Sequence, residues 1–229
     1  MAEADRVIAK FQKRVLGILK DYEELSLALH QKRREASLQA LIAEQCVMSQ
    51  AVFWEAFIHE LIFSHLCGKP ETYLSELKSR VTQSVAGKFP AASRWVHIKF
   101  PRRTSRGRLL ALVDPKGWNI TASTAEELTK IANQMLPGAL AKKFSFDEDD
   151  RAFIDLLVAL RNYLGHRSRG SMRVLRERIA ALNGTGKNIH LCGAITQVGA
   201  YLKVQPAPGI GRRVAVLGGR LLDISNNLK

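Results

Sequence analysis

Residues 147–170, DEDDRAFIDLLVALRNYLGHRSRG, decide the fold of this chain. The four leading acids are favoured at a helix N-terminus, where the helix dipole attracts negative charge. The apolar residues between Phe153 and Leu160 cover most of the circumference of a helix, which predicts a helix buried among others. Gly165 predicts a turn just before His166, because glycine readily adopts left-handed backbone angles.

This buried helix ends in polar residues that suit phosphate chemistry. The guanidinium of Arg161 offers a planar fork of donors to phosphate oxygens, and the imidazole of His166 can move a proton near neutral pH. Asn162 lies between them. The alternative is structural, because cations in the last turn of a helix stabilise its C-terminus.

Of the six histidines, only His166 follows an arginine with four to six residues between the two. Arg161-Asn162 and His166 at the end of a buried helix resemble the motif of the HEPN superfamily. The apolar stretch 52–62, which carries Glu55, is similar to the second helix of the RiboL-PSP-like branch of that superfamily. The resemblance covers roughly residues 35–182.

The resemblance implies a metal-independent endoribonuclease with no cofactor and an active site shared between the two protomers of a homodimer. His166 is then the general acid or base, and Arg161 binds the phosphoryl oxygens. Asn162 orients one of those oxygens, and Glu55 fixes Arg161. Attack by the ribose 2′-hydroxyl would leave a 2′,3′-cyclic phosphate and a 5′-hydroxyl.

The net charge is +14, which predicts a polyanionic partner, with nucleic acid as the first candidate and an acidic membrane as the second. No acid lies between Glu76 and Asp114, and basic residues alternate there with aromatic ones, as in sites that hold single-stranded nucleic acid. A solvated basic loop is the alternative. The candidate RNA-binding residues are Arg94, Lys99, Arg102, Arg103, Arg106, Arg108, Arg167 and Arg169.

Apolar periodicity predicts a mainly α fold, a helical bundle. We expect residues 1–182 to form a HEPN-like bundle with a basic insertion at about 86–120. Residues 183–229 form a C-terminal extension, in which the pattern over 200–217 predicts a small β-hairpin. No apolar run suggests a membrane span. The three cysteines are odd in number and widely spaced, which favours reduced thiols and a cytoplasmic location.

Two other functions remain open at this stage. The same fold could be a non-catalytic dimerisation or nucleic-acid-binding module in which Arg161 and His166 only stabilise a helix end. The basic N-terminal helix could instead serve an adaptor that binds a membrane surface or a partner helix. The resemblance also suggests stress response, phage defence or a toxin–antitoxin pair, with an antitoxin or another regulatory partner.

Overall fold

The computed structural model describes residues 3–95, 97–100, 104–117, 120–182 and 186–229, without the side chains of residues 92 and 93. The prediction of a mainly α helical bundle is confirmed, and none of the described residues forms a strand. Short 3₁₀ segments cover Ala92–Trp95, Lys142–Phe144 and Gly186–Leu191. The α-helices are α1 (Glu3–Ala28), α2 (Glu35–Gly68), α3 (Glu71–Lys88), α4 (Arg106–Val113), α5 (Ala125–Met135), α6 (Gly138–Ala141), α7 (Glu148–His166), α8 (Arg169–Ala180), α9 (Val198–Lys203) and α10 (Arg213–Asn227).

The bundle is built around α2, which packs against α1, α7, α9 and α10. Its interface with α1 is aromatic. Phe57 stacks on Phe11 at 4.2 Å between ring centroids, and Trp54 lies 5.6 Å from Phe57. All three rings are buried. Large rings packed in this way contribute much of the apolar burial that stabilises a helix pair.

The predicted β-hairpin over 200–217 is wrong, because helices α9 and α10 occupy the two stretches that were expected to form its strands. Buried residues Val214, Leu217, Leu221 and Ile224 recur every three or four positions, which is one face of a helix. The alternation of apolar residues that predicted a strand extends over only the first few residues of α10. The main core contains residues from both sides of position 183. The domain boundary at 183 stays a prediction.

Two glycines let the C-terminal helices approach the rest of the bundle. A Cβ atom at Gly199 in α9 would lie 2.7 Å from the backbone oxygen of Ala40 in α2. A Cβ atom at Gly218 in α10 would lie 2.7 Å from the Leu19 side chain in α1. Both distances are too short for a real contact. At Gly199 the close atom belongs to the backbone, so the packing of α9 on α2 depends on the absence of a side chain, whereas at Gly218 the end of the flexible Leu19 side chain would have to shift.

A smaller apolar cluster holds the start of α3 and the α4 helix against the end of α2. It consists of Phe63, Leu66, Tyr73 and Leu109. The Tyr73 hydroxyl also donates a hydrogen bond to the Leu112 carbonyl at 3.2 Å. Helix α4 itself was not expected from the sequence, because its eight residues lie at the end of a basic stretch rich in proline.

Among the described residues, α2 is the one helix long and apolar enough to cross a membrane, with a mean hydropathy of 1.2 over its 18-residue window. Such a window was not expected from the sequence. The helix is weak evidence for a membrane span, because 56% of that window is buried inside the bundle. Core helices of soluble proteins have the same composition.

Candidate functional site

Three of the four acids at the start of α7 have a structural partner. Asp147 caps the helix, because its Oδ1 accepts the backbone N–H of Asp150 at 2.8 Å. Asp149 accepts the backbone N–H of Lys187 at 3.0 Å. Hydrogen bonding to the Lys187 ammonium and to the Asp150 N–H lowers the pKa of Asp147. The start of α7 is thereby tied to the 3₁₀ segment at 186–191.

The third acid, Asp150, forms a buried ion pair with Arg220 of α10. Nη2 of Arg220 lies 2.5 Å from Oδ1 of Asp150, and both side chains are less than a tenth exposed. The guanidinium also donates to Asn188 at 3.3 Å and lies over the Phe153 ring. A paired charge in the core is sensitive to the loss of its partner, so α10 is firmly coupled to α7.

The predicted residues Arg161, Asn162 and Glu55 meet where α7 crosses α2. Nε of Arg161 lies 3.3 Å from Oε1 of Glu55, which is the ion pair expected from the sequence. Nε forms no hydrogen bond within the described part of the chain, so this contact is an ion pair only. Nη1 of Arg161 donates to Oδ1 of Asn162 at 3.1 Å. The guanidinium is held from two sides, yet 38% of the side chain is exposed.

His166 is the last residue of α7, and its ring is exposed. Within the described part of the chain, it has no hydrogen bond or ion pair. The turn expected before His166 is wrong, because α7 continues through Gly165. Arg167 provides the left-handed residue that ends the helix, at φ 48° and ψ 31°, and its N–H donates to the Tyr163 carbonyl. His166 is therefore free to contact a ligand.

Glu44 is a site residue that the sequence analysis missed. Its Oε2 lies 2.5 Å from Nη2 of Arg167, and its Oε1 accepts the backbone N–H of Gly199 at 3.0 Å. Glu44 precedes Glu55 by eleven positions, which is about three helical turns, so both acids lie on one face of α2. The spacing of these two acids could have identified Glu44 from the sequence, because few other acids occur in this apolar helix. Glu44 thus joins α9 to the residue that follows His166.

The candidate RNA-binding residues do not all lie near Arg161. Nη1 of Arg106 lies 2.7 Å from Glu3, and its guanidinium lies over the Phe63 ring near the end of α2. Residue 63 follows residue 55 by eight positions, or about 12 Å along the axis of α2. Arg102 and Arg103 lie outside the described residues. Four others are exposed, namely Arg94, Lys99, Arg108 and Arg169.

A groove of about 680 Å³ lies elsewhere, between α5 and the first half of α7. Asp155 on its wall accepts the Ala125 N–H at 2.8 Å and pairs with Arg178 at 3.2 Å. The groove mixes acidic and basic residues and does not include Arg161 or His166. Among the described residues, no group of three His, Cys, Asp or Glu side chains could hold a metal ion.

Comparison with known proteins gives no match to any family model, curated protein or solved structure. The chemistry of four residues therefore has to indicate the function, namely Arg161, Asn162, His166 and Glu55.

Proposed function

We propose that this chain is a metal-independent endoribonuclease of the HEPN type. The observation that carries the proposal is the contact between Glu55 and Arg161, five residues before His166, which is exposed and has no ion pair among the described residues. A purely structural cap would use the His166 ring on the terminal carbonyls of the helix. Here the backbone N–H of Arg167 forms the described cap contact, and the ring of His166 points to no described partner.

These side chains suit cleavage by an internal hydroxyl. The ribose 2′-oxygen loses its proton to a base and attacks the adjacent phosphorus, and the 5′-oxygen leaves with a proton from an acid. His166 acts as base or acid. Arg161 binds the phosphoryl oxygens as negative charge develops on them. Glu55 holds the guanidinium in place by a charge-assisted contact, and Asn162 supports it from the other side.

The proposal includes a homodimer with a shared site, so that a second copy supplies the other proton-transfer group. Five positions on a helix correspond to a rotation of about 140° and a rise of about 7.5 Å, so one helix does not present Arg161 and His166 on one face. A stripe of apolar residues on α2 flanks Glu44 and Glu55, namely Leu41, Met48 and Val52. Leu41 and Val52 are 50% and 43% exposed. This apolar stripe is our candidate interface.

RNA would approach through the exposed cations Arg94, Lys99, Arg108 and Arg169, because a field of one sign attracts phosphates over long distances. Arg102 and Arg103 belong to the same basic stretch of the sequence. Arg106 and Arg167 would contribute less to RNA binding, since each already pairs with a carboxylate.

The biological setting is part of the proposal. None of the three cysteines forms a disulfide, which favours the reducing cytoplasm. A ribonuclease there would need restraint, so we propose a regulatory partner or antitoxin, and a role in stress response or phage defence. The net charge of +14 suits an acidic partner that competes with RNA.

Cleavage of an end-labelled single-stranded RNA by the purified protein in EDTA tests the proposal. We expect the wild type to leave 2′,3′-cyclic phosphate ends, and DNA of the same sequence to stay intact. His166→Ala and Arg161→Ala should each lower the rate at least a hundredfold, which is the lower range for loss of an acid–base group or an oxyanion donor.

Arg173→Ala is the matched control, because Arg173 is an exposed arginine paired only with Glu177 on α8. This variant should cut as fast as the wild type. Equal cleavage by all variants would assign the activity to another site or to a contaminant. RNA binding with steep salt dependence but without cleavage by the wild type would instead support the non-catalytic nucleic-acid-binding module.

A further inference from the structure

The second half of α3 and the residues that follow it project from the bundle. We call residues 78–100 the basic arm, of which 78–95 and 97–100 are described. From Lys78 to Lys88 every residue is exposed except Val85, which is half-buried. Tyr73 is the buried residue of α3, so the helix is anchored only at its start. Its two valines, Val81 and Val85, are exposed and half-buried, so this half of the helix gains little stability from a core.

The cations of the basic arm lack acidic partners among the described residues. Its cations are Lys78, Arg80, Lys88, Arg94 and Lys99. None of these forms an ion pair within the described part of the chain, whereas Arg106, just beyond the arm, pairs with Glu3. The sequence has no acid between Glu76 and Asp114. Such a segment is suited to a partner that carries regularly spaced negative charge.

Two aromatic rings on the basic arm are open to solvent. Trp95 is 83% exposed and Phe89 is 63% exposed, whereas Trp54 in the core is 4% exposed. Large aromatic side chains are usually well buried, so two exposed rings among cations require a ligand with a flat apolar face. Bases of an unpaired strand offer that face to the rings and phosphates to the cations.

We propose that the basic arm binds single-stranded RNA by stacking bases on Trp95 and Phe89, separately from the chemistry at Arg161 and His166. The inference rests on the proposed ribonuclease function for the choice of RNA as the natural ligand. A duplex fits less well, because its bases are stacked on one another and are not free for the rings. A membrane surface also fits less well, because Val81 and Val85 form only a short apolar stripe in the second half of α3.

The test uses a fluorescein-labelled thymidine oligonucleotide, which has bases to stack but no 2′-hydroxyl and so stays uncut. Fluorescence anisotropy at fixed salt gives the dissociation constant. Trp95→Ala should weaken binding about tenfold or more, in the range seen for loss of one stacked base. Phe89→Ala should weaken it in the same direction. Trp95→Phe should retain most of the affinity, because it keeps an aromatic ring.

Leu27→Ala is the control for an exposed apolar side chain outside the basic arm, on α1. It should bind like the wild type. Changing Lys88, Arg94 and Lys99 together to Gln should reduce the slope of log affinity against log salt by about 2, or about 0.7 for each phosphate contact.

Equal binding by Trp95→Ala and wild type would overturn the inference. The inference would also be overturned if the wild type bound vesicles of phosphatidylserine and phosphatidylcholine through Trp95 but did not bind the oligonucleotide. The outcome is independent of catalysis, because an uncut thymidine strand reports only binding. If the wild type binds this strand through Trp95 but cuts no RNA, the proposed ribonuclease function is wrong. The basic arm then remains a nucleic-acid-binding surface.

Discussion

Arg167 shows how one residue can shape the candidate site. Its backbone is left-handed, which costs an ordinary residue about 1 kcal/mol. The residue keeps this conformation because its side chain is paired with Glu44. The turn fixes the direction in which the chain leaves α7, immediately after His166. Glu44 is therefore a positioning residue for the end of α7.

Two substitutions of Arg167 separate the effect of its backbone conformation on stability from the effect of its side chain. Arg167→Gly removes both the strain and the ion pair, so we expect a change of less than about 1 kcal/mol in the free energy of unfolding. Arg167→Val removes the ion pair but keeps the strain, since a β-branched residue rarely adopts this conformation. It should be less stable than the glycine variant by about 1–2 kcal/mol. Urea denaturation measures both, and equal stabilities would contradict the left-handed helix end.

His59 gives a pH dependence at the residue scale. Its Nδ1 accepts the Ile120 N–H at 2.9 Å, and burial lowers the pKa of the ring. The folded state therefore favours neutral His59. As the pH falls below about 6.5, the unfolded chain binds a proton that the folded chain does not, and stability falls until the lower folded pKa is reached.

Urea denaturation at pH 7.5 and pH 5 checks this dependence. His59→Asn can still accept the Ile120 N–H but does not titrate. This variant should lose less stability than the wild type between the two pH values. An unchanged difference would mean that another group, such as His65, whose pKa burial also lowers, dominates the dependence.

At the scale of elements, α7 is held at both ends by the C-terminal segment. Arg220 of α10 pairs with Asp150 at its start, and Gly199 of α9 shares Glu44 with Arg167 at its end. The 3.6-residue period correctly predicted the long helices. It did not show these pairs, because partners separated by tens of residues meet only after the bundle has packed. The Glu55–Arg161 pair was expected only from the resemblance.

The Asp150–Arg220 pair should be the strongest test at this scale. Arg220→Met would remove the nearer partner of the buried Asp150 carboxylate and leave the Lys187 ammonium at 3.5 Å, so the free energy of unfolding should fall by about 3 kcal/mol, the low end for breaking a buried pair. Asp150→Leu combined with Arg220→Met should recover much of that loss, because an apolar pair needs no compensating charge. Asp223→Asn is the control, since the exposed Asp223 lies 3.8 Å from Arg220 and should matter by less than about 0.5 kcal/mol. Urea denaturation at pH 7 measures all three.

At the scale of the whole molecule, the proposed dimer depends on the apolar stripe of α2. Val52→Asp would place a charge in that interface and should shift the protein to a monomer, with cleavage falling at least tenfold. Light scattering coupled to gel filtration gives the mass, and the RNA assay gives the rate. Leu16→Asp, on an exposed position of α1, is the control and should leave both unchanged. A monomeric wild type with full activity would contradict the shared site.

Because the segment that holds α7 at both ends follows it in the chain, the contacts at its ends form late in synthesis. The ribosome releases α7 before α9 and α10, so a growing chain can hold Arg161 and His166 while it still lacks Gly199 and Arg220. Until those residues emerge, the hydrogen bond from Gly199 to Glu44 and the ion pair between Asp150 and Arg220 are both missing. Under the proposed function, the nascent protein would therefore be beside messenger RNA and ribosomal RNA with an unfinished site, which would protect the transcript that encodes it.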